Sequence, residues 1–136
     1  MVQREVAESI LSQPGDMSLL AVTVQYYAIP TRIRRVPAGA FYPPPKVSSM
    51  IMKLQLREQP AVNVENAERF FKLVKSGFSA RRKQLRNSVA QGLGIAAPCA
   101  LSAIDMAGID PRRRAETLTL GEWASLYGHL ETYVKD

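Results

Sequence analysis

Residues 41–49 read FYPPPKVSS, an aromatic pair run into three prolines, a lysine and the start of an apolar stretch. Three consecutive prolines hold φ near about −65° and remove three backbone donors, so Pro43, Pro44 and Pro45 cannot lie inside a helix or a central strand. They favour an extended polyproline-type segment that holds its neighbours in place at little further entropic cost. Two readings of the aromatics follow. Phe41 and Tyr42 are tucked into a core beside a stiff connection, or they form a rigid platform that offers a flat face to a ligand such as a nucleobase.

The flanks decide the local fold. On the N-terminal side TRIRRV (31–36) alternates Ile33 with Arg32 and Arg34, as a strand with one apolar and one cationic face does. On the other side VSSMIMKLQLR (47–57) sets Val47, Met50, Met52, Leu54 and Leu56 mostly at one parity, a strand buried on at least one face. The proline segment between them is short enough to join an antiparallel pair. Further upstream MVQREVAESILS (1–12) places Val6, Ile10 and Leu11 on one helical stripe, with Glu5 and Glu8 in the dipole-favoured first turn. Gln13-Pro14-Gly15-Asp16 breaks that helix. Asp16 or Ser18 then caps a second one through Leu20, Val24 and Tyr27, ended by Ile29-Pro30.

Downstream, EQPAVNV (58–64) is a polar linker, and from Glu65 onward every segment reads as helix. Phe70, Val74 and Phe78, with Phe71 beside them, form one stripe; Leu85, Val89 and Leu93 form the next, stopped at Gly92-Leu93-Gly94. A third helix runs from Pro98 to Ala107, with Gly108 as its stop. Thr119 caps the last, with Glu122 completing a capping box, and Trp123, Leu126, Leu130 and Val134 recur on its apolar side. The fold class expected is an α/β piece at 1–57, the linker at 58–64, and a small all-α piece at 65–136.

The 136 residues suffice for one ordinary domain with a core, and a 46% hydrophobic, 22% charged composition excludes a disordered chain. Cys99 is alone, so no intramolecular disulfide forms and a reducing compartment fits; among Ala96, Ala97 and Ala100 it reads as a small buried hydrophobe. His129 has no second ligand at metal spacing, and no metal site is expected. Neither a signal peptide nor a membrane span is legible, so a cytoplasmic protein is expected.

A net charge of +6 favours a polyanionic partner. Arg69, Lys72, Lys75, Arg81, Arg82, Lys83 and Arg86 follow one another without an intervening acid. On a helix Arg82 and Arg86 (i,i+4) and Lys83 and Arg86 (i,i+3) share a face opposite Leu85 and Val89, a repulsion that a phosphate backbone relieves. Arg112-Arg113-Arg114 follow Asp110-Pro111, and Arg32, Arg34, Arg35 and Lys46 bracket the proline segment. Any one cluster is ordinarily a solvated face. Three of them with a rigid aromatic platform point to nucleic acid, and the arginine preference suits RNA.

These residues also carry a resemblance. MVQREVAESI (1–10), SLLAVTVQYYA (18–28), VPAGAFYPPPKVSSMIMKL (36–54), FSARRKQLRNSV (78–89) and GIDPRRRAETLTLGEWASLY (108–127) resemble, in order, blocks of the ribosomal RNA adenine dimethyltransferases. The joint match to F-x-P-P-P-K-V-x-S and R-R-K-x-L-x-N is specific, and with D-P-x-x-R-A-E-x-L it favours the small-subunit branch. The resemblance implies the last strands of a Rossmann-like methyltransferase sheet followed by a helical RNA-binding domain. It implies S-adenosylmethionine-dependent dimethylation of two adjacent adenines in the 3′-terminal hairpin of 16S small-subunit rRNA, on a pre-30S particle, by a monomer. Phe41 inherits stacking on the flipped adenine, with Pro43 to Pro45 as its platform. Lys46, Arg81, Arg82, Lys83, Arg86 and Arg114 are the RNA contacts, while Arg112 and Arg113 are solvated.

The family's glycine-rich cofactor turn, acidic ribose-binding residue and N-L-P-Y motif are not found in this sequence. The chain is therefore expected to be a fragment or a reading frame opened at an internal start, beginning at the end of the family's fifth strand. On that expectation it binds no S-adenosylmethionine and is inactive by itself. The alternative is a stand-alone RNA-binding or ribosome-assembly module without catalysis.

Overall fold

A two-residue strand, β1 (Val2–Gln3), turns directly into helix α1 (Arg4–Ile10), and α2 (Leu19–Tyr27) passes without a break into strand β2 (Ala28–Val36). A 3₁₀ turn (Ala38–Ala40) and the proline segment lead to β3 (Ser49–Leu56). Four helices follow: α3 (Ala67–Phe78), α4 (Leu85–Leu93), α5 (Ala97–Met106) and α6 (Leu120–Leu130), with 3₁₀ turns at Ala115–Thr117 and Glu131–Tyr133. This computed structural model describes residues 1–80 and 82–134, so Arg81 lies outside the described residues.

The sheet order is β1-β3-β2, and both outer strands run antiparallel to β3. The long β2–β3 ladder runs from Ala28 opposite Leu56 to Val36 opposite Ser49, as an antiparallel pair joined by a proline segment should. Its register slips between Arg32 and Arg34, and the odd residue at that bulge is Ile33. Ile33 is exposed, as is every residue of β2 from Thr31 to Arg35, and Leu54 and Leu56 are exposed as well, against the expectation of apolar strand faces.

Local signals place several helix ends. Ser18 Oγ accepts the Ala21 N–H, and Asn66 Oδ1 accepts that of Arg69. Gly94 and Gly108 adopt left-handed φ values of 68° and 75° where α4 and α5 stop. Thr119 and Glu122 form the reciprocal capping box at α6. The stripe expected for α2 is displaced: Ala21, Val22 and Tyr26 are buried, whereas Leu20 and Tyr27 are exposed. Tyr26 is drawn inward by α3, its ring 5.6 Å from Phe70 and 5.0 Å from Phe71. In α1 likewise Ala7 and Ile10 are buried and Val6 is 36% exposed.

One core results, running from Met17, Val22 and Tyr26 through Phe70, Leu73 and Val74 of α3 to Leu85, Val89, Ile104, Leu118, Trp123, Leu126 and Leu130. Two glycines allow its closest approaches. A Cβ on Gly77 would stand 2.4 Å from Trp123 Cη2, and one on Gly92 would stand 2.4 Å from Ser76 Cβ. Cys99 is half-buried rather than fully enclosed, and His129 is exposed. No helix among the described residues is long and apolar enough to cross a membrane.

Candidate nucleic-acid interface

The β2–β3 connection starts from a short 3₁₀ turn, where the Ala40 N–H bonds to the Pro37 carbonyl (3.1 Å) and the Phe41 N–H to that of Ala38 (3.2 Å). The Tyr42–Pro43 peptide bond is cis. At the return into β3, Ser48 is buried, its Oγ accepting Arg35 Nε at 3.3 Å and its carbonyl accepting the Arg4 N–H at 3.0 Å. The segment thus starts from a local turn and is bonded at its far end to β2 through Arg35 and to α1 through Arg4. Phe41 is half-buried, while Pro43, Pro44, Pro45 and Lys46 are exposed. The core reading of the aromatic pair fails for Tyr42, which is 99% exposed.

The second cluster is not arranged as expected. Gln84 has an extended backbone, with ψ at 153°, so α4 begins only at Leu85 and Arg82 and Lys83 lie in the α3–α4 turn. They share no helical face with Arg86. Arg82 and Lys83 are nevertheless exposed, Lys83 Nζ donates to Gln91 Oε1 (2.9 Å), and Arg86 is half-buried in the first turn of α4. Lys72 and Lys75 of α3 border a cleft of about 350 Å³ shared with Leu93 and Val134.

At the third cluster the three arginines have three fates. Arg112 pairs with Asp110 (3.0 Å) with most of its side chain in solvent, and that hydrogen bond holds the Asp110 carboxyl below its ordinary range. Arg113 is not solvated, contrary to expectation. Its guanidinium forks onto Glu122, with Nη2 to Oε1 at 2.9 Å, and reaches the Thr117 carbonyl at 2.7 Å and Thr117 Oγ1 at 3.2 Å. That fork is the first cause holding Glu122 below the usual carboxylate range, ahead of opposing desolvation and the Thr119 N–H bond. The Arg113 carbonyl accepts the Leu85 N–H (2.7 Å), the bond that starts α4. Arg114 is exposed and has no ion pair among the described residues.

This segment also joins the two ends of the chain. The Glu116 carbonyl accepts the N–H groups of Gly15 (2.9 Å) and Met17 (3.1 Å), next to the start of α2. Residues 113–117 therefore hold the N-terminal α/β piece, the start of α4 and the start of α6 in one network. Nothing in the sequence signals the Arg113–Glu122 pair, which spans nine residues across a turn.

A family model described as ribosomal RNA adenine dimethylase matches residues 1–132. The chain belongs to the ribosomal RNA adenine dimethylase family. Among its relatives, a ribosomal RNA small subunit methyltransferase A of Dehalococcoides mccartyi is 49% identical over 93% of this chain and 43% of its own length. The protein of that name from Clostridium perfringens is 38% identical over 100% of this chain and 48% of its own length. The chain thus spans less than half the length of these curated relatives. Among solved structures, a dimethyladenosine transferase from Plasmodium falciparum superposes with a TM-score of 0.78 at 24% identity, covering 96% of this chain and 55% of that one. The 23S rRNA methyltransferase ErmE gives 0.61 at 24% identity, covering 95% and 52%. These likenesses establish the fold: part of a methyltransferase sheet with a helical portion appended.

A dimethylase-family cofactor needs a turn from strand to helix that brings backbone close to it. Among the described residues, glycines with positive φ occur only at Gly15, between two helices, and at Gly94 and Gly108, behind helices. None of the three follows a strand, so no glycine turn of that kind stands among the described residues.

Proposed function

We propose that this chain is the RNA-facing part of an S-adenosylmethionine-dependent dimethyltransferase that modifies two adjacent adenines in the 3′-terminal hairpin of small-subunit (16S) rRNA, within a pre-30S particle. The observation that carries the reading is Phe41, half-buried between a 3₁₀ turn and a proline run that is bonded at Ser48 to β2 and α1, inside the region the family model matches. An enzyme that works on a base amine must take the base out of its stack and hold it flat. An aromatic ring fixed before binding does so with little further loss of entropy. In this reading Phe41 receives the extruded adenine, and Pro43, Pro44 and Pro45 keep its backbone still.

Lys46, Arg82, Lys83, Arg86 and Arg114, together with Arg81, contact the RNA. Residues 1–57 continue the methyltransferase domain, 58–64 connect, and 65–136 form the RNA-binding portion. The cofactor is held by the part of the longer relatives that this chain does not cover, and the protein acts as a monomer.

The test has two arms. The chain should bind small-subunit rRNA, and Arg82→Ala with Lys83→Ala should flatten the dependence of log K on log salt by about two units. Joined to the N-terminal half of a curated relative, it should transfer methyl groups to two adjacent adenines of unmodified small subunits. RNA binding that obeys the first arm without any methylation in the second would make the chain a non-catalytic RNA-binding module.

A further inference from the structure

The ring of Tyr42 touches almost nothing. It is 99% exposed, next to a residue that is half-buried, on a backbone that three prolines restrain. An aromatic side chain held out in water gives up the burial that ordinarily places such residues inside. Its surroundings are also one-sided in charge. From residue 17 to residue 57 the sequence carries Arg32, Arg34, Arg35, Lys46, Lys53 and Arg57 and no Asp or Glu. Of these, Arg34 and Lys46 are exposed and form no ion pair among the described residues. An exposed π-face on a restrained backbone, with exposed cations close by in sequence, suits a single-stranded nucleic acid, with a base to stack and phosphates to neutralise.

We propose that Tyr42 is a second stacking site, which takes an unpaired RNA base neighbouring the one held by Phe41, with the Arg34 and Lys46 cations of the same hairpin serving the flanking phosphates. This rests on the RNA reading above and adds a subsite to it. Consecutive residues of differing burial suit consecutive bases: the half-buried ring receives the extruded base, and the exposed ring catches its neighbour and limits where the strand can slide. Stacking accepts any π-face, so the site sets strand position and single-strandedness rather than base identity.

The experiment measures fluorescence anisotropy of the chain with a twelve-nucleotide single-stranded RNA containing two adjacent adenines, and with the same sequence in a duplex. Tyr42→Ala should weaken single-strand binding about ten- to a hundredfold and change duplex binding little. Its salt slope should match that of the unaltered chain, because no charge is removed. Tyr42→Phe and Tyr42→Trp should recover most of the affinity, and the melting temperature should not move. Unchanged affinity in Tyr42→Ala, while Arg82→Ala with Lys83→Ala weakens binding, overturns the subsite and leaves the RNA reading intact. Failure of the unaltered chain to bind either RNA overturns both. In the fusion with a relative's N-terminal half, a lowered melting temperature with unchanged RNA affinity would assign the ring to packing and also overturn the proposal.

Discussion

Replacing Arg113 with methionine keeps most of the side-chain stem and removes the guanidinium. The structure sets the expected cost. Arg113 and Glu122 side chains are 32% and 28% exposed, so their pair is screened less than a surface ion pair but not desolvated as in a core. The variant loses the fork onto Glu122 and two bonds to Thr117. Bonds to charged groups contribute about 1.5–3 kcal/mol, and partial exposure brings the expected loss to about 2 kcal/mol. For a chain of this size that lowers Tm by roughly 6–10 °C.

Glu122→Gln is the second corner of a double-mutant cycle, since it keeps an oxygen to accept the Thr119 N–H; the coupling should be about 1 kcal/mol or more. The sign with pH follows from Glu122, whose carboxyl titrates lower in the folded chain than unfolded. Its contribution is complete above the unfolded value of about 4.3 and fades as pH falls through the lower folded value. The measurement is thermal melting of the four proteins from pH 7 down to pH 3. A Tm change under 1 °C at neutral pH, or a penalty undiminished at acid pH, would show that the pair does not hold the segment.

Three further outcomes are expected. Gly92→Ala should destabilise by about 3 kcal/mol, because the new methyl meets the α3 backbone at Ser76, 2.6 Å from its Cα; an unchanged denaturant midpoint would mean the helices part without cost. Arg114→Ala should lower the salt slope of RNA binding by about one unit with no loss of stability, and Arg113→Met, assayed well below its Tm, should leave that slope alone. In the fusion with a relative's N-terminal half, Phe41→Ala should slow single-turnover methyl transfer about ten- to a hundredfold, with Tyr or Trp restoring it; a large fall in Tm with normal chemistry in the folded fraction would make Phe41 a core residue instead.

What the sequence determined by itself is short in range. The cap at Thr119, the choice of Asp16 or Ser18 for α2, and the glycine stops at Gly92-Leu93-Gly94 and Gly108 were legible because each depends on a bond or a φ preference within about four residues. The hairpin was legible too, since three consecutive prolines remove the donors between two strand-like stretches, although β2 begins at Ala28 and takes in Pro30, opposite Leu54, where a helix end was expected. Burial was not, because it depends on what arrives from elsewhere in the chain. Tyr26 and Tyr27 are chemically alike and both meet Phe71, but only Tyr26 also stacks on Phe70 and is buried. Phe41 and Tyr42 are separated in the same way, one half-buried and the other in water. Ile33 lies at a bulge that no periodicity announces, in a stretch of β2 exposed on both faces. The turn before α4 took Arg82 and Lys83 out of the helix, its first N–H satisfied by a carbonyl at Arg113. That same arginine was read as solvated and is bound to Glu122, because a charge finds its partner through the fold and not along the chain.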